Sequence, residues 1–146
     1  EPLTEEEMLL SSVRDEAQML QGQELSNDQA ALASRRRQLF NRDDVERFKR
    51  QGCLGEALSG ELVERSCENG SENSKPILQR VLAEETADRE IIITWVISQH
   101  DHLQETERDQ VKKIYRQFIL SHSPQGTPFQ DLSGTWLIKE SSEVQN

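Results

Sequence analysis

The three histidines are the residues of this 146-residue chain best suited to a transition metal. His100-Asp101-His102 puts two imidazoles and a carboxylate within three positions, and His122 follows. Such ligands suit a divalent ion. The triplet falls, however, where one helical pattern ends and another begins. There Asp101 reads as an N-cap, with Gln104 at the capping-box position. No metal and no cofactor is expected. A second cluster is Glu84, Glu85, Asp88 and Glu90, interleaved with Arg80 and Arg89. Paired carboxylates do acid–base work when they are buried. On the polar half of a helix, beside arginines, they read instead as solvated i,i+4 pairs. There is no glycine-rich phosphate loop, no Gly-x-Ser-x-Gly, and no cysteine–histidine pair with an orienting group. No catalytic residue is assigned, and a non-enzymatic protein is expected.

Cys53 and Cys67 are the two cysteines. Metal sites of the cysteine-pair type need closer spacing and more ligands. A disulfide between them would close a loop of about 14 residues and stabilise the fold by roughly 3 kcal/mol. That reading suits an oxidising compartment. The alternative is two unrelated buried thiols.

Acidic residues number 27 against 17 basic ones, a net charge of −10, which disfavours nucleic acid and anionic lipid surfaces as bulk partners. Hydrophobic residues make up 34 % and charged residues 30 %, with a mean hydropathy of −0.77. No apolar run approaches the ~18–20 residues that span a bilayer. The sequence opens at Glu1 without methionine, so a processed or truncated chain is expected, with any signal peptide or lipid-bearing N-terminus removed.

The elements that must position these residues are four helices and one or two short β-hairpins, a mainly α fold with a small β element (α+β). The first helix is expected over residues 4–22. Thr4 and Glu7 form a capping box, Glu5, Glu6 and Glu7 favour its first turn, and Leu9, Val13, Ala17 and Leu20 recur at helical spacing. The second opens at Ser26, carries Leu32, Leu39, Phe40, Val45 and Phe48, and ends at Gly52. Its Arg35, Arg36 and Arg37 read either as an anion or partner contact or as a solvated face pairing with Asp43 and Asp44. Residues 53–67 form a hairpin turning at Ser59-Gly60, its ends clamped by the cysteines. The third helix starts near Ser74, with Pro76 in its first turn, and runs into Ile91-Ile92-Ile93-Thr94-Trp95-Val96-Ile97. The fourth covers residues 103–120, with Val111, Ile114, Tyr115, Phe118 and Ile119 as its core stripe. A turn at Asp131-Leu132-Ser133-Gly134 makes a second hairpin or an added strand. Phe48, Val81, Trp95, Ile114, Phe118 and Trp136 are expected in one core.

Several segments occur together in order: Ser34-Arg35-Arg36-Arg37, Lys49-Arg50-Gln51-Gly52-Cys53-Leu54-Gly55-Glu56, Gly60-Glu61-Leu62, Ala83-Glu84-Glu85-Thr86-Ala87-Asp88-Arg89 and Ser133-Gly134-Thr135-Trp136-Leu137. In order and spacing, over about residues 30–140, they resemble the YdbL-type family of bacterial envelope proteins. Thr86 departs from the asparagine usual there. On this resemblance residues 26–146 form a YdbL-like domain, and residues 1–25 an N-terminal helix and linker. The resemblance implies a periplasmic protein, or a lipoprotein tethered to the outer membrane through a removed N-terminal anchor. It also implies association with an AsmA-like bridge or a small lipoprotein that moves phospholipid between membranes. It carries over no catalytic residues.

Two functions follow as expectations. The first is a non-enzymatic envelope adaptor that engages a protein partner through Arg35, Arg36 and Arg37, or through an exposed strand edge at Gly55, Glu56 and Gly60. There the glycines let another backbone approach, and Glu56 accepts the partner's hydrogen bonds. The second is direct binding of a lipid or other small hydrophobic ligand between the third and fourth helices. A hydrolase reading has no residue in its favour.

Overall fold

The first described helix, α1 (Asn27–Arg50), stops where the backbone turns left-handed. Gly52 has φ 79°, and the Gly52 and Cys53 amides donate to the Lys49 and Phe48 carbonyls at 3.0 and 2.8 Å. A glycine cap of this kind satisfies the last carbonyls of the helix. The chain enters β1 (Leu54–Glu56), turns, and returns as β2 (Leu62–Glu64). The turn bonds the Gly60 amide to the Ala57 carbonyl, and Gly60 has φ 95°. Cys53 and Cys67 are disulfide-bonded, with Cα atoms 4.9 Å apart, and so close the base of this hairpin. After a short 3-10 turn come α2 (Lys75–Gln99), a second 3-10 turn, α3 (Arg108–Ser121), β3 (Pro128–Gln130) and β4 (Trp136–Ile138). The computed structural model describes residues 27–67 and 72–140.

The described residues hold three α-helices, which corrects the expectation of four. The helix expected over residues 4–22 lies outside the described residues. The fold remains a helical one with a small β part. The two hairpins are not separate either. They join in one four-stranded sheet of order β2-β1-β3-β4, antiparallel within each hairpin and parallel where β1 meets β3, with Glu56 opposite Phe129. β1 is therefore flanked on both sides, and the strand edge expected at Gly55 to Gly60 does not exist. Among the described residues the free edges are those of β2 and β4. The Ile91–Ile97 run is helical despite its β-branched residues: only Ile93 is fully buried, and α2 continues through Gln99.

The apolar core is small and lies at one end. Val45 and Phe48 of α1, Cys53, Leu54 and Leu62 of the first hairpin, and Leu78 and Val81 of α2 form it. Of the six residues expected in one core, Phe48 and Val81 are there. Ile114 and Phe118 are exposed, and Trp95 and Trp136 are half-buried. The reason is the phase of α1 and α3. The face of α1 turned inward is Ser34, Gln38, Asn41, Val45 and Phe48, polar along more than half its length. The residues α3 buries are Arg116 and Leu120. That helix starts later than expected, after a 3-10 turn at Glu105–Glu107 in which Gln104, not Asp101, takes the Glu107 carboxylate on its amide at 3.3 Å.

Candidate functional site

Beyond the apolar end, the interior is charged. Seven ionisable side chains are buried among the described residues: Lys49, Arg89, Arg116 and Lys139 against Glu56, Glu85 and Asp88. Charges are kept inside only where partners replace water. At the centre is Glu56, the last residue of β1, with no exposed surface. Arg89 of α2 grips its two oxygens with both terminal nitrogens at 2.8 Å, the bidentate fork that suits a guanidinium to a carboxylate. The Lys49 ammonium of α1 approaches Oε2 at 2.8 Å. Burial alone would raise the Glu56 carboxyl, but the two cations outweigh it and hold it at about 2. The same pairing raises Arg89 despite its burial.

The cluster extends in both directions. Arg89 Nε donates to Glu85 at 2.8 Å, one turn back on α2, and Gln38 of α1 reaches Glu85 and the Tyr115 hydroxyl at 3.3 Å each. Farther up, Arg37 clasps Asp88 at 2.8 and 2.9 Å, and Asn41 donates to Glu84 at 2.9 Å. Burial pushes the Asp88 carboxyl up more than Arg37 pulls it down. In the other direction Lys49 donates to the Ser123 hydroxyl at 2.9 Å.

Two buried cations, with no carboxylate partner among the described residues, bind backbone instead. Lys139 donates to the carbonyls of Leu120, Ser121 and Ser123 at 3.0, 3.2 and 2.6 Å. It thereby caps the negative end of α3. Burial, then the neighbouring Lys49, pushes its ammonium down. Arg116 donates to the Ala57 and Gln130 carbonyls, which ties α3 to the turn after β1 and to β3. Burial pushes its guanidinium down as well.

A cavity of about 330 Å³ opens beside this cluster, between α1 and α3. Glu85, Arg89 and Lys49 form its inner end. Val45, Leu39, Ile119 and Phe118 wall it, and Arg35, Arg42 and His122 stand at its mouth. Its size lies at the lower bound of small-molecule sites, which run from about 300 to 1,000 Å³.

The predicted residues fall in separate places. Glu56 and Gly60 meet at Arg89, which also reaches the Gly60 carbonyl at 3.3 Å. Gly55 lies beneath Trp136, whose ring stands 2.8 Å from where a Cβ would be. All three are buried, so Glu56 receives its arginine from its own chain. The arginine run divides: Arg35 is exposed at the cavity mouth, while Arg37 crosses to Glu84 and Asp88 on α2 rather than pairing with Asp43 and Asp44. Asp44 approaches Arg47 and Arg80. Glu85 and Asp88 are not on a solvated face, because α1 covers them. His100 and His102 stack edge to face at 5.6 Å. Among the described residues no group of three or more histidines, cysteines or acids could hold a metal ion, and no helix is long and apolar enough to cross a membrane. Lys49, Arg116 and Lys139 were not foreseen. Their only local signal is that Lys49 falls between two fully buried positions, Phe48 and Cys53, where a lysine needs a carboxylate. No protein-family model matches this chain, and no curated protein or solved structure matches it either.

Proposed function

We propose that this protein is a non-enzymatic accessory protein of the bacterial cell envelope that works by binding a protein partner, with an AsmA-like bridge for phospholipid as the first candidate. The observation that carries the reading is the Cys53–Cys67 disulfide at the base of the first hairpin, a bond that persists in oxidising compartments. The Glu56 carboxylate argues in the same direction. A carboxyl held at about 2 by two cations has no proton to give and little basicity near neutral pH. Among the described residues the sheet leaves β4 as a free edge with Leu137 and Ile138 exposed, and a partner strand added there would extend it. The test is acid-quenched thiol labelling of the native chain in intact cells, together with co-purification with the bridge protein. Blocked cysteines and a joint complex support the reading. Two labelled thiols, or a chain that never co-purifies with the bridge, overturn it.

The cavity between α1 and α3 favours a second reading, direct binding of a small amphiphile whose anionic end meets Lys49 and Arg89. Native mass spectrometry tests it: a bound lipid mass supports it, and a bare chain mass from gently extracted protein removes it.

A further inference from the structure

α1 and α3 both pack against α2 and leave between them the groove into which the cavity opens. Its lips carry exposed apolar side chains. On α1, Leu39 is 42 % exposed, and Leu32, two turns earlier on the same face, is 54 % exposed. On α3, Phe118 is 58 % exposed, and Ile114, one turn earlier, is 61 % exposed. Arg35 and Arg42 alternate with the two leucines along the α1 lip, and both are exposed. Among the described residues neither arginine meets a carboxylate: Arg35 bonds Gln38 of its own helix at 3.3 Å, and Arg42 makes no hydrogen bond or ion pair. Glu46, the acid that lines this lip, is held by Arg50 at 3.7 Å. The lip is thus cationic on a chain whose net charge is −10.

These features select the occupant. Leu32 and Ile114 do not line the cavity, so a small molecule confined to its 330 Å³ leaves them bare. The lips are helix surfaces, whose backbone groups are already bonded within each helix. An extended peptide laid there would bury its amides and carbonyls without partners, whereas a helix bonds its own. A second copy seated groove to groove would set these arginines against their own equivalents. From Leu32 to Arg42 the α1 lip runs about 15 Å, close to three helical turns. We propose that this groove seats an acidic amphipathic helix of a protein partner. The apolar stripe of that helix, at i, i+3 or i+4 and i+7, lies over Leu32, Leu39, Ile114 and Phe118, and its acids face Arg35 and Arg42. Apolar contact supplies the affinity, and the two arginines reject basic helices. The inference rests on the reading of a protein that works by binding a protein partner, not on which partner it is, and its surface is separate from the β4 edge.

The test is a peptide-display selection against the full chain, with randomised peptides of about 16 residues, ~24 Å long as a helix. The selected sequences are expected to carry apolar residues at i, i+3 or i+4 and i+7, with aspartate or glutamate beside them. Leu39→Glu with Phe118→Glu is expected to weaken the best peptide roughly tenfold. Arg35→Glu with Arg42→Glu is expected to weaken it about threefold at low salt, and a peptide with its acids changed to lysine is expected to recover that loss. All four positions are exposed, so the far-UV dichroism of both variants is expected to match that of the native chain. Four results overturn the proposal: no peptide enriched; enriched peptides with basic flanks or strand alternation; binding unchanged in both variants; or a groove filled by a second copy or a co-purified amphiphile that the peptides do not displace. No bridge protein enters the selection, so its failure removes the groove alone. Failure of co-purification with the bridge removes that partner and leaves the groove.

Discussion

Glu56 is the residue on which the interior balances. Three elements converge on its carboxylate: Lys49 from α1, β1 itself, and Arg89 from α2. Removing one member of a buried ion pair leaves an unpaired charge, at a cost of about 3–5 kcal/mol. Glu56→Gln is therefore expected to lower stability by that amount in urea unfolding at neutral pH. Combined with Arg89→Met it is expected to cost less than the sum of the two, since both changes strike one interaction. The pH dependence has a definite sign. A carboxyl depressed from 4.5 to about 2 contributes stability that is whole above about 4.5 and is lost as pH falls toward about 2. Asp88 is raised and acts with the opposite sign, giving back a part of that loss. Unfolding midpoints at pH 6, 4 and 2.5 are expected to fall less steeply in Glu56→Gln than in the native chain; parallel curves would contradict the assignment.

At the scale of elements, the sheet is organised by Gly55 and by its open edge. Trp136 lies over β1 because Gly55 has no side chain, and a Cβ there would also stand 3.0 Å from the Pro128 carbonyl. Arg65 covers the other aspect of the indole, 3.9 Å above the ring. Gly55→Ala is expected to cost about 1–3 kcal/mol through overpacking and to lower Tm, and Trp136→Leu in the same chain is expected to recover part of it. On β4, the Lys139 amide and the Thr135 carbonyl belong to the ladder with β3, so by alternation the amides of Trp136 and Ile138 point away from the sheet. Ile138→Pro removes one of those outward amides without breaking the β3 ladder. On the proposed adaptor reading it is expected to leave Tm within a few degrees and to abolish capture of a bridge protein; undiminished capture would remove β4 as the docking edge.

Across the whole molecule, stability is divided between a small apolar end and a long charged seam, and the disulfide closes the apolar end. Cys53 is buried in that core beside Phe48, and the bond joins cysteines 14 positions apart. Reduction is expected to cost about 3 kcal/mol, read as a shift in the urea midpoint between oxidised chain and chain in dithiothreitol. A shift below a tenth of that would mean that packing alone holds the hairpin. The interior charge also has a consequence for the surface. Four cations and three carboxylates are buried among the described residues. The exterior is thus at least as acidic as the net charge of −10 implies, consistent with a partner that is not an anionic polymer.

Much of the local structure was legible in the residue order. Gly52 ends α1, Pro76 stands in the first turn of α2, and Ser59-Gly60 and Asp131-Leu132-Ser133-Gly134 turn the two hairpins, because capping and turn chemistry act over a few residues. The cysteine pairing was legible too, since a single short loop offered itself. What the order left open is which face of each helix points inward. Leu32, Leu39, Ile114 and Phe118 keep a helical period yet lie outside, while Ser34, Gln38, Asn41 and Arg116 lie inside. Hydrophobic periodicity assigns the apolar face to the core, and it fails where a buried carboxylate on one element must meet cations on two others. Lys49, Glu56 and Arg89 lie 7 and 33 residues apart, and only the docking of α1 and α2 across β1 brings both cations to 2.8 Å from the Glu56 carboxylate.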